Sequence, residues 1–137
     1  MPLARRGFTV IELMLVVSII GIISALGIPN YLTMQARAKE ADVIHLAHLV
    51  QLASEDFCVR NDGIYSDQAA DIVPCLPNHG LLRNPFSGQY TEPQFGVAAT
   101  VAGQVGLQLV HSDGRIAGYV ISGFGRSEEV IRYRAGH

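Results

Sequence analysis

From Phe8 to Ile28 the chain carries a single charge, Glu12, and beyond Pro29 its apolar positions retreat to one side of a helical repeat. The run 13–28, LMLVVSIIGIISALGI, has no charged residue. An apolar run of about 20 residues is long enough to cross a bilayer as a helix. From 30 to about 59, Val43, Leu46, Val50, Ala53 and Phe57 recur in steps of three and four, which predicts one buried helical stripe. Arg37, Lys39, Glu40, Asp42, Glu55 and Asp56 occupy the other faces. Asn61-Asp62-Gly63 is a stop and turn signal. Residues 8–59 therefore read as one helix about 78 Å long at about 1.5 Å per residue. Gly21 and Gly27 weaken its turns, and Pro29 removes an N–H, so the pattern predicts a kink or local opening there.

Downstream, Pro74, Pro77, Pro85 and Pro93 make 64–93 read as an irregular connecting loop. Segments 104–110 and 116–122 flank Ser112-Asp113-Gly114, a hairpin signal, and a third strand is predicted at about 130–133. Three strands with one apolar face need a cover, which the amphipathic half of the helix supplies. The expected fold class is α+β. The apolar half of a long N-terminal α-helix protrudes, and its amphipathic half packs on a small antiparallel sheet of three to four strands. The expected divisions are a leader at 1–7, an apolar helix half at 8–29 and a globular head at 30–137.

Composition sharpens this picture in three places. The 137 residues suit one small domain plus an appended segment, and that segment is far denser in apolar residues than the chain's overall 49%. Without residues 1–7, which hold Arg5 and Arg6, the formal charge falls from −2 to −4. No Lys/Arg cluster of the kind that grips phosphate backbones is present, so no nucleic-acid partner is expected. Arg5 and Arg6, just ahead of the apolar run, favour an N-in, C-out orientation. An ordinary secretory signal ends in a small-x-small cleavage site before a polar mature start. The only candidate, Ser24-Ala25 to Gly27, runs on into helix. In an exported chain the pair Cys58 and Cys75 suggests a disulfide. Closing a loop of about 15 residues adds about 3 kcal/mol.

Glu12 is the anomaly in the apolar run. A carboxylate costs about 2.5–3.5 kcal/mol at mid-membrane, less near the interface. Either it snorkels to the headgroups or it waits for a partner. The string Arg5-Arg6-Gly7-Phe8-Thr9-Val10-Ile11-Glu12-Leu13 resembles the class III leader of type IV pilins and type II secretion pseudopilins. In that family a short basic leader ends in Gly, Phe begins the mature chain, and Glu follows four residues later.

The resemblance is detailed over 5–32 and architectural beyond. It implies cleavage by prepilin peptidase between Gly7 and Phe8, N-methylation of Phe8, and subunit assembly through Glu12, which pairs with the new amine of a neighbour. It also implies helix loss between Gly21 and Pro29 in the polymer, where the free subunit is helical. The implied partners are identical subunits in a helical filament, the peptidase, an inner-membrane assembly platform and an assembly ATPase. The implied location is the inner membrane before assembly and an extracellular or periplasmic filament after it. Asn84-Pro85-Phe86-Ser87-Gly88 also resembles an Asn-Pro-Phe/Tyr-x-Gly element of pilin-like proteins.

Other chemistry is sparse. His45 and His48 lie three apart on a helix, without the third and fourth ligands that zinc needs. Ser122 lacks the Gly two residues before it and the following helix of a nucleophile elbow. The turn Arg126-Ser127-Glu128-Glu129 lacks the Asp-rich loop of calcium-binding pseudopilins. No enzyme, metal or cofactor is expected. The alternatives to a pilus subunit are a pseudopilin of a secretion or competence system, a minor tip pilin acting as a binding module, and a membrane-anchored enzyme or sensor.

Overall fold

A computed structural model describes residues 7–136. Its first element, α1, is one α-helix over Val10–Arg60, 51 residues with Pro29 inside. The helix stops where the Asn-Asp-Gly signal predicts. Asp62 and Gly63 turn to positive φ, and the Gly63 N–H donates to the Cys58 carbonyl at 2.9 Å. Such left-handed residues satisfy the last carbonyls of a helix.

Residues up to Gln35 and residues from Ala36 onward form separate compact units. In the first unit the apolar side chains of α1, Ile11 and Leu26 among them, are exposed. Its most apolar 18-residue window has a mean hydropathy of 2.5 and buries nothing. Ser18 Oγ donates to the Met14 carbonyl at 2.8 Å, and Thr33 Oγ1 to the Pro29 carbonyl at 3.0 Å. These hydroxyls are thereby satisfied within the helix itself, as an apolar surrounding requires.

In the second unit the C-terminal part of α1 packs on a four-stranded sheet ordered β3-β4-β5-β6. Its strands are β3 (Gln94–Phe95), β4 (Val105–Ser112), β5 (Arg115–Phe124) and β6 (Glu129–Gly136). β4, β5 and β6 form an antiparallel meander, and the two-residue β3 adds parallel to β4. Leu107 stands opposite Ile121, and Leu109 opposite Tyr119. Leu107, Tyr119 and Ile121 join Val43, Val50 and Ile72 in the core.

The seam on α1 is rotated from the stripe expected from sequence. Val43, Ala47, Val50, Ala53, Ser54 and Cys58 are buried, whereas Leu46 and Phe57 flank the core half-buried. Small residues sit in the middle of the contact because the helix approaches the sheet closely. A Cβ on Gly123 of β5 would lie 2.9 Å from a Val43 methyl, so glycine there sets the approach.

Segment 64–93 is more ordered than the irregular loop its prolines suggest. It holds α2 (Ala69–Ile72), a 3₁₀ turn at Val73–Cys75, a turn at Pro77–Gly80 in which Asn78 and His79 take positive φ, and a ladder of β1 (Leu82–Arg83) with β2 (Tyr90–Thr91). Asn84 closes the turn between these two strands. Its Oδ1 accepts from the Phe86 and Ser87 N–H groups at 2.8 and 3.0 Å, and its Nδ2 donates to the Ala102 carbonyl at 2.7 Å. Gly103, at positive φ, leaves room for that amide, which any side chain at 103 would strike. Along the outer side of β4, Asp67 Oδ2 accepts the Leu109 N–H at 3.3 Å, and the Gly96 N–H donates to the Leu107 carbonyl at 2.8 Å.

Candidate processing and assembly site

Gly7, Phe8 and Thr9 precede the first helical residue and are non-helical and exposed. Phe8 is 77% exposed, and among the described residues nothing lies within 4 Å of where a Gly7 Cβ would stand. None of the described residues therefore covers the peptide bond between Gly7 and Phe8. The rest of the expected leader, residues 1–6 with Arg5 and Arg6, lies outside the described residues.

Thr9 is the N-cap of α1. Its Oγ1 accepts the Glu12 N–H at 3.3 Å, and Glu12 Oε2 accepts from the Thr9 N–H at 2.8 Å and the Thr9 hydroxyl at 2.7 Å. This is a reciprocal capping box, with threonine at the cap and glutamate three residues on. It places the carboxylate at the positive end of the helix dipole. The expectation that Glu12 stands without a partner is therefore corrected, since Thr9 engages it within the same chain. The signal was legible, because Thr-x-x-Glu directly before an apolar run marks a helix start. Both donors are neutral, so neither offsets the charge of the ionised carboxylate. Among the described residues no cation forms an ion pair with it.

At Gly21 and Pro29 the helix is unbroken. Proline has no N–H to give to the carbonyl four residues earlier, so Ala25 loses its helical donor. No side chain crowds the Cβ positions of Gly21 and Gly27. The opening that Pro29 suggests does not interrupt α1 in this single chain, and the helix loss implied by the resemblance concerns the polymer.

The disulfide suggested by sequence is a second correction: Cys58 and Cys75 are both free. Cys58 belongs to the buried seam and lies against the Tyr65 phenol. Cys75 lies beside Asp56 and Arg60. Helix residues two apart project about 200° from one another. Asp56 and Arg60 consequently hold Cys75 on a different side of α1 from the Cys58 sulfur. The Cys75 thiol is pushed above its ordinary value by burial and then by Asp56.

A carboxylate that sequence reasoning passed over joins α1 to the sheet. Glu55 Oε1 accepts from the Tyr119 hydroxyl at 2.5 Å, and its Oε2 from the Tyr65 hydroxyl at 3.3 Å. The two rings meet edge to face with centroids 5.0 Å apart. His45 and His48 are exposed on α1, and His48 Nδ1 lies 3.2 Å from Gln51 Oε1. Among the described residues no three His, Cys, Asp or Glu side chains gather to hold a metal.

Residues 3–28 match the family described as "Prokaryotic N-terminal methylation motif", a span that contains Gly7, Phe8 and Glu12. The chain is 45% identical over 68 residues to the type IV major pilin protein PilA of Myxococcus xanthus, covering 50% of this chain and 30% of that protein. It is 34% identical over 103 residues to the type IV major fimbrial protein FimA of Dichelobacter nodosus, 72% of this chain and 60% of the relative. To the type IV major pilin protein PilE1 of Neisseria gonorrhoeae it is 32% identical over 113 residues, 80% of this chain and 46% of the relative. The chain thus spans 30% to 60% of the length of these relatives, whose names describe pilins and fimbrial proteins rather than enzymes. No solved structure is significantly similar to it. With a long N-terminal helix packed on a sheet and the N-terminal methylation motif of a class III prepilin leader, the chain is a relative of the type IV pilins and fimbrial proteins.

Proposed function

We propose that the chain is a structural subunit of a type IV pilus-like filament. In this reading it is held in the inner membrane by the apolar part of α1, with its head outside, and is cut between Gly7 and Phe8. Cleavage frees an α-amino group at Phe8, cationic at neutral pH, four residues from Glu12. The subunit then polymerises with identical copies through α1, served by the prepilin peptidase, an assembly platform and an ATPase.

The observation that carries this reading is the exposed, apolar, once-charged N-terminal part of α1, which begins at Val10, two residues beyond an exposed Gly7–Phe8 bond. A surface of that kind is stable in lipid or against copies of itself, and unstable in water. Thr9 satisfies Glu12 through hydrogen bonds without neutralising it. A neighbour's amine is then the missing cation, and pairing it offsets the cost of an uncompensated charge and fixes register. Mass spectrometry of sheared filaments tests the proposal. It expects a chain beginning at N-methylated Phe8; a different mature N-terminus, or absence of the chain from the sheared fraction, overturns it.

A further inference from the structure

The head carries a groove of about 350 Å3 between α1 and the turn that Asn84 closes, lined by Lys39, Asp42, His45, Leu46, Arg83 and Pro85 among others. Lys39 lies over the Phe86 ring, with Nζ 5.8 Å from the centroid. Among the described residues neither Lys39 nor Arg83 has an ion-pair partner; the ion pairs are Arg60–Asp56 and Arg132–Glu129. Against Asp42, the groove therefore holds an excess of one positive charge, in a chain whose formal charge is negative. At the same level of α1, on the other flank of the buried seam, Glu40 lies against the turn between β5 and β6. Its Cγ is 3.5 Å from the position of a Gly125 Cβ, and the Gly125 N–H donates to the Glu128 carbonyl at 2.8 Å. Glu40 and Glu128 outweigh Arg126 in that turn, and Glu129 is already paired with Arg132, so this flank is negative by one.

The two flanks are opposite in sign and border the buried seam of α1 on either side, Lys39 and Glu40 projecting about 100° apart. A contact that joins two different surfaces of the same chain repeats head to tail and generates an open helical array. We infer that the Lys39–Arg83 groove receives the Glu40–Glu128 flank of a second copy of this chain. The inference rests on the filament reading and names a contact between heads within it. Charge complementarity of this size sets register and rejects wrong neighbours more than it adds affinity. Once subunits are joined through α1, the head contact forms at a high effective concentration, so a weak contact suffices.

The test uses the full chain in a host that assembles it, reading filament yield in the sheared fraction against subunit level in the membrane. The variant Lys39→Glu with Arg83→Glu places like charges across the contact and lowers yield about ten-fold, as like-charge juxtaposition does at interfaces. Adding Glu40→Lys and Glu128→Lys to that variant restores yield to within about two-fold, because the complementarity is reversed rather than lost. Equal unfolding midpoints for purified variants in detergent exclude misfolding as the cause; a lowered midpoint in the first variant, which also removes the Lys39–Phe86 contact, moves the test to Arg83→Glu and its rescue by Glu128→Lys. Unchanged yield from the first variant, or no recovery from the fourfold swap, overturns this inference while wild-type filaments stand. Absence of the wild-type chain from the sheared fraction overturns the filament reading itself.

Discussion

The Tyr119 hydroxyl of β5 donates to the Glu55 carboxylate of α1 at 2.5 Å, the polar tie between helix and sheet in the head. Tyr119 is itself fully buried. A hydrogen bond to a charged acceptor contributes about 1.5–3 kcal/mol, and Tyr119→Phe keeps the ring while removing the donor. We expect Tyr119→Phe to lower stability by about 2 kcal/mol in urea unfolding of the detergent-solubilised chain. Glu55→Gln, which keeps an acceptor oxygen, costs less.

The same site makes the head sensitive to alkali. Burial, then the Cys58 thiol and Glu55, push the Tyr65 hydroxyl up to about 12 from its ordinary 10, and burial and Glu55 push Tyr119 up as well. Below about pH 10 both phenols are protonated folded and unfolded, and their contribution is fully present. Above it the unfolded chain loses protons that the folded chain retains, so stability falls as pH rises from about 10 to 12. Thermal unfolding across that range should show the fall, and Tyr65→Phe with Tyr119→Phe should flatten it.

Both sulfurs should react as thiols. Intact-mass analysis after alkylation in denaturant is expected to give two adducts per chain, and the native chain is expected to label at Cys75 before the buried Cys58. Labelling at Cys75 should be slow at neutral pH, since its thiol lies above the ordinary range and thiolate is the reacting form. A denatured chain that takes up no label before reduction would contradict the free-thiol structure.

Asn84 holds a turn and a distant loop with one buried amide, so its loss leaves two backbone donors and one carbonyl without that partner. Asn84→Ala is expected to destabilise the head by about 1–3 kcal/mol in urea unfolding. Gly103→Ala should do comparable damage, because alanine there collides with that amide in a strained backbone.

Removing the cap should loosen the start of α1. Thr9→Ala is expected to cost about 1 kcal/mol, read as faster amide exchange at residues 10–13 in micelles, and Thr9→Ser should restore protection. Glu12→Leu removes one half of the same box, yet leaves membrane insertion intact and, in the proposed function, reduces filament yield.

The parts of this fold written in punctuation were legible. Asn61-Asp62-Gly63 ended α1 and Ser112-Asp113-Gly114 joined β4 to β5, because turn residues act locally. The helical seam was read one step off, since ranking by hydrophobicity favours Leu46 and Phe57, whereas the buried positions include the small residues Ala47 and Ser54. The ladder of β1 and β2 was invisible, because two-residue strands depend on contacts such as Asn84 to Ala102, far apart in sequence. The disulfide failed for a related reason: spacing gives loop length but not the side of the helix from which a sulfur projects. Glu12 was picked out by its charge, and that same emphasis hid the threonine that caps it.

The covered flank of β4 has a consequence for crowding. Edge strands with free N–H and C=O groups invite other chains to add as further strands, and a polymer that holds many identical heads together multiplies that hazard. Here Asp67 occupies the Leu109 N–H and β3 occupies Leu107, while the opposite edge, β6, bears the charges of Glu129, Arg132 and Arg134. β4 is thus not an open edge and the charged β6 is a poor template for strand addition, which in the proposed filament lowers the hazard of aggregation between neighbouring heads.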